Sequence, residues 1–297
     1  MKMYWIYRFA EPFAHCLPLW ICRRVEHCVA FFWRIFDRSG VAATRANQRI
    51  RLGPDASKRE VNAAVRRVYL TFSRIITEFM GGARFAGEWI DRNVTMEGIE
   101  HIERALAGGR GVVACGAHLG NFENGPASAQ RRGYSTAALI KMFDDERSNV
   151  LFARQRVTRG YRVLPVGSGT RAALECLRKN RVLGVLGDRN YGEPGEVVTL
   201  FGRPVRLPTG PARLALAARC PLVPSFTRYE GKQHRIVFEP PIERPEGLPR
   251  REAARRMTAA FAERLEKVLA SHGDQWCIFY PFWEIQGPEG PGAESVT

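Results

Sequence analysis

Residues 111–123 read Gly-Val-Val-Ala-Cys-Gly-Ala-His-Leu-Gly-Asn-Phe-Glu. A short, uninterrupted apolar run enters a glycine-bounded turn that carries His118, and Glu123 follows five positions on. Such a run reads as a strand with both faces buried, the kind found inside a parallel sheet. Gly116 and Gly120 allow the backbone to bend and a substrate to approach closely. A hydroxyl is a poor nucleophile until a positioned imidazole takes its proton, and a carboxylate on the far ring nitrogen fixes the tautomer and stabilises the imidazolium. With His118 in the turn and Glu123 in the first turn of the next helix, the two side chains can meet, although five residues along one continuous helix would not face each other. The plain alternative is an ordinary loop histidine beside an acid favoured by a helix dipole.

Outward from this stretch, apolar runs alternate with helical patterns. Strands are expected at 94–97, 111–115, 136–140, 162–166 and 182–187, with helices at 99–107, 121–131, 145–159 and 169–179. The alternation predicts an α/β fold: a largely parallel, mixed central sheet flanked by helices, with the site at the carboxyl ends of strands. His118 and Asp188 both follow strands there. Past residue 196 the runs shorten, to 197–201 and 205–207, then a helix over 209–219. A hairpin over 223–239 turns at Glu230-Gly231-Lys232, and a long helix covers about 250–271. Upstream, Ser57 and Glu60 make a capping box, and Val61, Val65, Val68, Phe72, Ile75, Ile76 and Phe79 line one face of a helix through Met80.

With 297 residues, 45% of them hydrophobic, the chain can bury a full core. A net charge of +15 and a pI near 10.0 call for acidic partners: an anionic membrane face, an acidic carrier protein or a phosphorylated lipid. Nucleic acid is set aside, because the basic residues are spread through the chain and form no recognisable module. Seven cysteines without a C-x-x-C pair argue against a disulfide framework or a ribbon-type zinc site. The cluster of His15, Cys16, Cys22, His27 and Cys28 matches no common ligand spacing, so neither a metal nor another cofactor is expected. Cys115 could be imagined as a nucleophile, but at the end of a buried strand it reads as a small core side chain.

Four ordered blocks resemble the bacterial lipid A late acyltransferases, within the larger lysophospholipid-acyltransferase-like group. They are His-Leu-Gly-Asn-Phe-Glu at 118–123, similar to that family's H-x-x-x-x-D/E signature, Gly-Asp-Arg-Asn-Tyr-Gly at 187–192, Phe-Gly-Arg-Pro-Val-Arg-Leu-Pro-Thr-Gly-Pro-Ala at 201–212 with Cys-Pro-Leu-Val-Pro-Ser-Phe at 220–226, and Gln-Trp-Cys-Ile-Phe-Tyr-Pro-Phe-Trp-Glu at 275–284. The resemblance implies transfer of a fatty acyl group from an acyl thioester, on acyl carrier protein or coenzyme A, to a hydroxyl of a membrane glycolipid, foremost a lipid A precursor. It implies His118 as general base, Glu123 as its partner, and an essential arginine that aligns best with Arg156, with Arg154 and Arg159 as competitors. Asn121, Asp188, Arg189 and Asn190 fall in the matched blocks as substrate-binding positions. Arg203 and Arg206, beside the helix beginning near Thr209, form an expected phosphate cradle. Phospholipid or amino-acid lipid acceptors, thioester hydrolysis, and a non-catalytic membrane-binding role are the alternatives.

Residues 1–90 read as a helical, membrane-associating segment, 91–284 as the catalytic domain, and 285–297, rich in Gly, Pro and Glu, as a disordered tail. Many relatives carry an N-terminal membrane anchor, but here charges and prolines break every apolar run of spanning length. Val25, Val29, Phe32, Trp33 and Phe36 instead recur at helical spacing beside Arg23, Arg24, Arg34 and Arg38. That pattern suits a helix lying in a membrane interface or one packed on the catalytic core. The expected location is the cytoplasmic face of the bacterial inner membrane, without a span.

Overall fold

The computed structural model describes residues 2–191 and 195–286, with only the backbone of Lys2 and Met3. Four helices open the chain: α1 (Lys2–Cys16), α2 (Leu19–Phe36), α3 (Arg38–Leu52) and α4 (Lys58–Met80). The start of α4 follows from its capping box. The Ser57 hydroxyl accepts the Glu60 N–H while the Glu60 carboxylate accepts the Ser57 N–H. The first three helices pack on α4, and none of the described helices is long and apolar enough to cross a membrane.

From there strands and helices alternate: α5 (Glu88–Asn93), β1 (Val94–Glu97), α6 (Ile99–Ala107), β2 (Val112–Gly116), α7 (Asn124–Arg131), β3 (Thr136–Ile140), α8 (Glu146–Thr158), β4 (Arg162–Pro165), α9 (Thr170–Arg178) and β5 (Val182–Leu186). The remainder is β6 (Gly195–Leu200), β7 (Arg203–Pro208), α10 (Gly210–Ala218), β8 (Leu222–Glu230), β9 (Gln233–Phe238), α11 (Arg250–His272) and α12 (Phe282–Ile285). Among the described residues, seven strands form one sheet in the order β1-β9-β8-β2-β5-β3-β4, and β6 and β7 pair separately. Every neighbouring pair in the large sheet is parallel except the β8–β9 hairpin. This is the mixed, mostly parallel sheet that the alternating pattern predicts.

Strand β2 sits in the middle, between β8 and β5, and all five of its residues are buried. Its alternate side chains enter two cores. Val113 and Cys115 join Ala215 of α10 and Phe261 and Leu265 of α11; Val112 and Ala114 join Ile102 of α6 and Ala127 of α7. Burial on both faces explains why the strand is apolar without alternation. The expectation of disorder from residue 285 meets a difference at its start. Ile285 ends α12 and Gln286 is buried and hydrogen-bonded, while residues 287–297 lie outside those described, as does Gly192 of the 187–192 block.

Candidate active site

The register of β2 against β5 builds the site. Gly116 pairs with Leu186, so two residues further along two parallel strands His118 stands beside Asp188. The imidazole Nδ1 lies 2.8 Å from Asp188 Oδ1, and the His118 backbone N–H donates to Oδ2 at 2.9 Å. The Trp276 indole N–H also donates to Oδ2, at 2.8 Å. Burial pushes the fully enclosed Asp188 carboxyl upward, but His118 and the donated hydrogen bonds outweigh it and hold the group below the ordinary carboxylate range. An ionised carboxylate only accepts, so Nδ1 carries a proton, and Nε2 is the ring nitrogen that holds the lone pair in the neutral imidazole.

The turn that presents His118 is held by its main chain. The His118 carbonyl accepts the Cys277 N–H at 2.8 Å, Gly120 N–H donates to the Gln275 carbonyl, and the Thr227 hydroxyl donates to the Leu119 carbonyl at 2.6 Å. Gly120 has φ +52°, and a Cβ there would stand 2.6 Å from the Thr227 carbonyl oxygen, so the turn admits glycine alone at this point.

Glu123 occupies a different place from the one the H-x-x-x-x-E spacing suggests. It stands immediately before α7 without a side-chain capping bond, and among the described residues it makes no hydrogen bond to His118. Instead its carboxylate accepts Arg156 Nη2 at 2.6 Å, Arg156 Nε at 3.2 Å and the Tyr161 hydroxyl. Both members of the ion pair are buried. Burial raises the Glu123 acid, and the Arg156 guanidinium then pulls it below its usual value. The arginine fork is thereby occupied. The carboxylate that reaches the imidazole comes from a neighbouring strand end 70 residues away, because strand adjacency brings the two together and chain proximity does not.

His118, Glu123, Arg156, Arg189, Asn190 and Arg206 all line one cavity of about 1590 Å³. Typical ligand pockets are roughly 300–1,000 Å³, so this one has room for two substrates. Part of its wall is apolar, including Phe79, Leu139, Phe152, Val166 and Leu174. Arg189 lies 5.3 and 4.9 Å from the ring centres of Tyr191 and Tyr280. Its Nε and the neighbouring Asn190 Oδ1 are buried without a hydrogen-bond partner among the described residues, a donor and an acceptor that a ligand could satisfy.

The other expected positions separate. Asn121 is buried behind the His118 turn, with its amide directed at Glu78. Arg203 is exposed, whereas Arg206, three positions along β7 and on its other face, lines the cavity, so the two do not converge as a cradle. Arg154 pairs with Glu11 on the surface, and buried Arg159 donates to Asn124; of the three arginines, Arg156 is the one on the cavity wall. Cys115 is packed in the core, and burial raises its thiol well above the usual range. No group of metal-binding side chains is found among the described residues. Sequence reasoning passed over Tyr161 and Gln286, and read Trp276 only as part of the aromatic 275–284 block, without its bond to Asp188. Gln286 accepts the Asn190 N–H at 2.6 Å and donates to the Asp188 carbonyl at 3.2 Å. For Trp276 the signal was present, since a buried indole N–H needs an acceptor.

The family described as bacterial lipid A biosynthesis acyltransferase matches residues 1–284. The chain belongs to that family. It is also similar to the phosphatidylinositol mannoside acyltransferase of Mycobacterium tuberculosis, 31% identical over 191 residues, which are 63% of this chain and 58% of that protein. The protein of the same name from Mycolicibacterium smegmatis is 28% identical over 190 residues, 62% of this chain and 60% of its own. The aligned part thus spans somewhat under two thirds of these relatives' length.

Proposed function

We propose that this protein is an O-acyltransferase that moves a fatty acyl group from a thioester, carried on acyl carrier protein or coenzyme A, to a hydroxyl of a membrane glycolipid. The observation that carries the reading is His118, backed by the buried Asp188, on the wall of a cavity large enough for both substrates. His118 Nε2 takes the hydroxyl proton as the acceptor oxygen attacks the thioester carbonyl. The tetrahedral intermediate collapses with cleavage of the C–S bond, and the imidazolium returns the proton to the departing thiolate. Asp188 holds the reactive tautomer and stabilises the imidazolium. Holding the two substrates together supplies much of the acceleration. A covalent acyl-enzyme is unnecessary, and the buried thiol of Cys115 is a poor candidate for one.

In this reading the Glu123–Arg156 pair shapes the wall beside the imidazole, and Arg189, Asn190 and Arg206 contact polar parts of the substrates. A glycolipid acceptor is supported by both the family description, which names lipid A, and the relatives, which are named for a mannoside. The N-terminal helices would rest on an anionic membrane surface, with Trp5, Phe9, Phe13, Trp20, Phe32 and Phe36 exposed on α1 and α2. Tyr7 of α1 lines the cavity.

The deciding experiment supplies a radiolabelled acyl thioester with and without glycolipid vesicles, using wild type and His118→Ala. Lipid-dependent product lost in the variant is expected. Equal turnover without lipid would make the protein a thioesterase, and wild-type activity in the variant would remove the general base.

A further inference from the structure

Glu78, near the end of α4, is completely enclosed, yet it lies outside the cavity. Burying a carboxylate is costly unless donors surround it. Here Oε1 accepts Arg23 Nη2 at 2.9 Å and Arg74 Nε at 3.0 Å, while Oε2 accepts the Asn121 amide at 2.8 Å and the Tyr229 hydroxyl at 3.0 Å. His234 Nε2 stands 3.5 Å away. Each donor comes from a definite place. Arg23 belongs to the inward face of α2, where it also binds buried Glu26. Tyr229 and His234 belong to the β8–β9 hairpin. Asn121 belongs to the turn that carries His118, three residues after it.

One carboxylate therefore fastens α2 to the catalytic turn. The exposed surface of α2 carries Trp20, Phe31, Phe32 and Phe36. Asn121 does not line the cavity, so it can influence the reaction only through the shape of the turn. Resting on the proposed acyltransferase reading, we infer that Glu78 is a positioning residue which, through Asn121, aligns His118 with the docked position of α2.

The test is a double-mutant cycle on the full chain, using Arg23→Met, Asn121→Ala and the combination, with acyl transfer to glycolipid vesicles and thermal unfolding measured in parallel. Both links pass through Glu78, so each single variant is expected to lower kcat about tenfold with the thioester KM little changed, and the double variant to be no worse than the weaker single. Multiplicative losses, or full kcat despite a lowered Tm, would overturn the inference by showing independent or merely structural roles. Should Arg23→Met fail to fold, Arg23→Lys, which keeps the charge but loses the fork, takes its place in the same cycle with the same criteria. A wild type with no lipid-dependent transfer would instead sink the acyltransferase reading itself, an outcome distinct from either result of the cycle.

Discussion

His118 and Asp188 are joined twice, through the imidazole Nδ1 at 2.8 Å and through the histidine's own backbone N–H at 2.9 Å. One contact sets the tautomer and the other sets where the ring stands relative to the carboxylate. Asp188→Asn keeps the shape but offers an amide whose N–H can face Nδ1 and turn the proton to Nε2. We expect kcat to fall by about 10²-fold or more, with thioester KM nearly unchanged. A steady-state comparison with wild type checks this, and an unaffected kcat would mean the carboxylate does not serve the base.

Glu123→Ala leaves the Arg156 guanidinium buried without its counter-ion. The expected cost in denaturant unfolding is about 3–5 kcal/mol. Replacing both partners, as Glu123→Leu with Arg156→Met, should recover most of that stability. A single variant as stable as wild type would show that the pair contributes nothing to the fold.

Acid should unfold the protein cooperatively. Glu78, Glu123 and Asp188 are all held below the usual carboxylate range, burial acting against this and neighbouring cations, His118 or His234 acting for it. A depressed folded-state pKa contributes stability above the unfolded value, about 4 for these groups, and loses it as pH falls through the folded value. Unfolding free energy is therefore expected to hold steady near neutrality and to drop below about pH 4. Equal stability at pH 3 and pH 7 would contradict the assignment.

Trp20, 65% exposed, and Phe36, 80% exposed, would be unusual on a helix that meets only water. Changing Trp20, Phe32 and Phe36 together to serine should weaken co-sedimentation with anionic vesicles by about tenfold or more, since each large ring contributes roughly 1.5–3 kcal/mol when removed from water. High salt should weaken the wild type too. Retention of the triple variant on vesicles would place the lipid contact elsewhere.

Gly120→Ala forces a side chain into a positive-φ turn and against the Thr227 carbonyl. The expected outcome is a loss of about 1–3 kcal/mol in stability with a larger loss of turnover, because the displaced segment carries His118, the proposed base. Normal activity would show that the turn tolerates movement.

The alternation of apolar runs and helical patterns was enough to place the strands within a residue or two, and the capping box marked the start of α4. What no local pattern contains is which strands lie side by side. β2 and β5 are separated by two intervening strands in the chain, and their adjacency is what makes Asp188 the neighbour of His118. The spacing of His118 and Glu123 suggested a local pair, but Arg156 and Tyr161, brought in by α8 and the residues after it, claim the glutamate first. Gln286 was passed over for a related reason. Its place beside Asp188 depends on α12 folding back over the strand ends.

The histidine turn is gripped from behind by the main chain of Gln275 and Cys277, and Asp188 by the indole of Trp276, although none of the three lines the cavity. A chain that stopped just short of Gln275 would retain every strand of the central sheet and both His118 and Asp188. It would also lack the backing that keeps them aimed, so damage to the last tenth of the protein should silence chemistry performed in its middle.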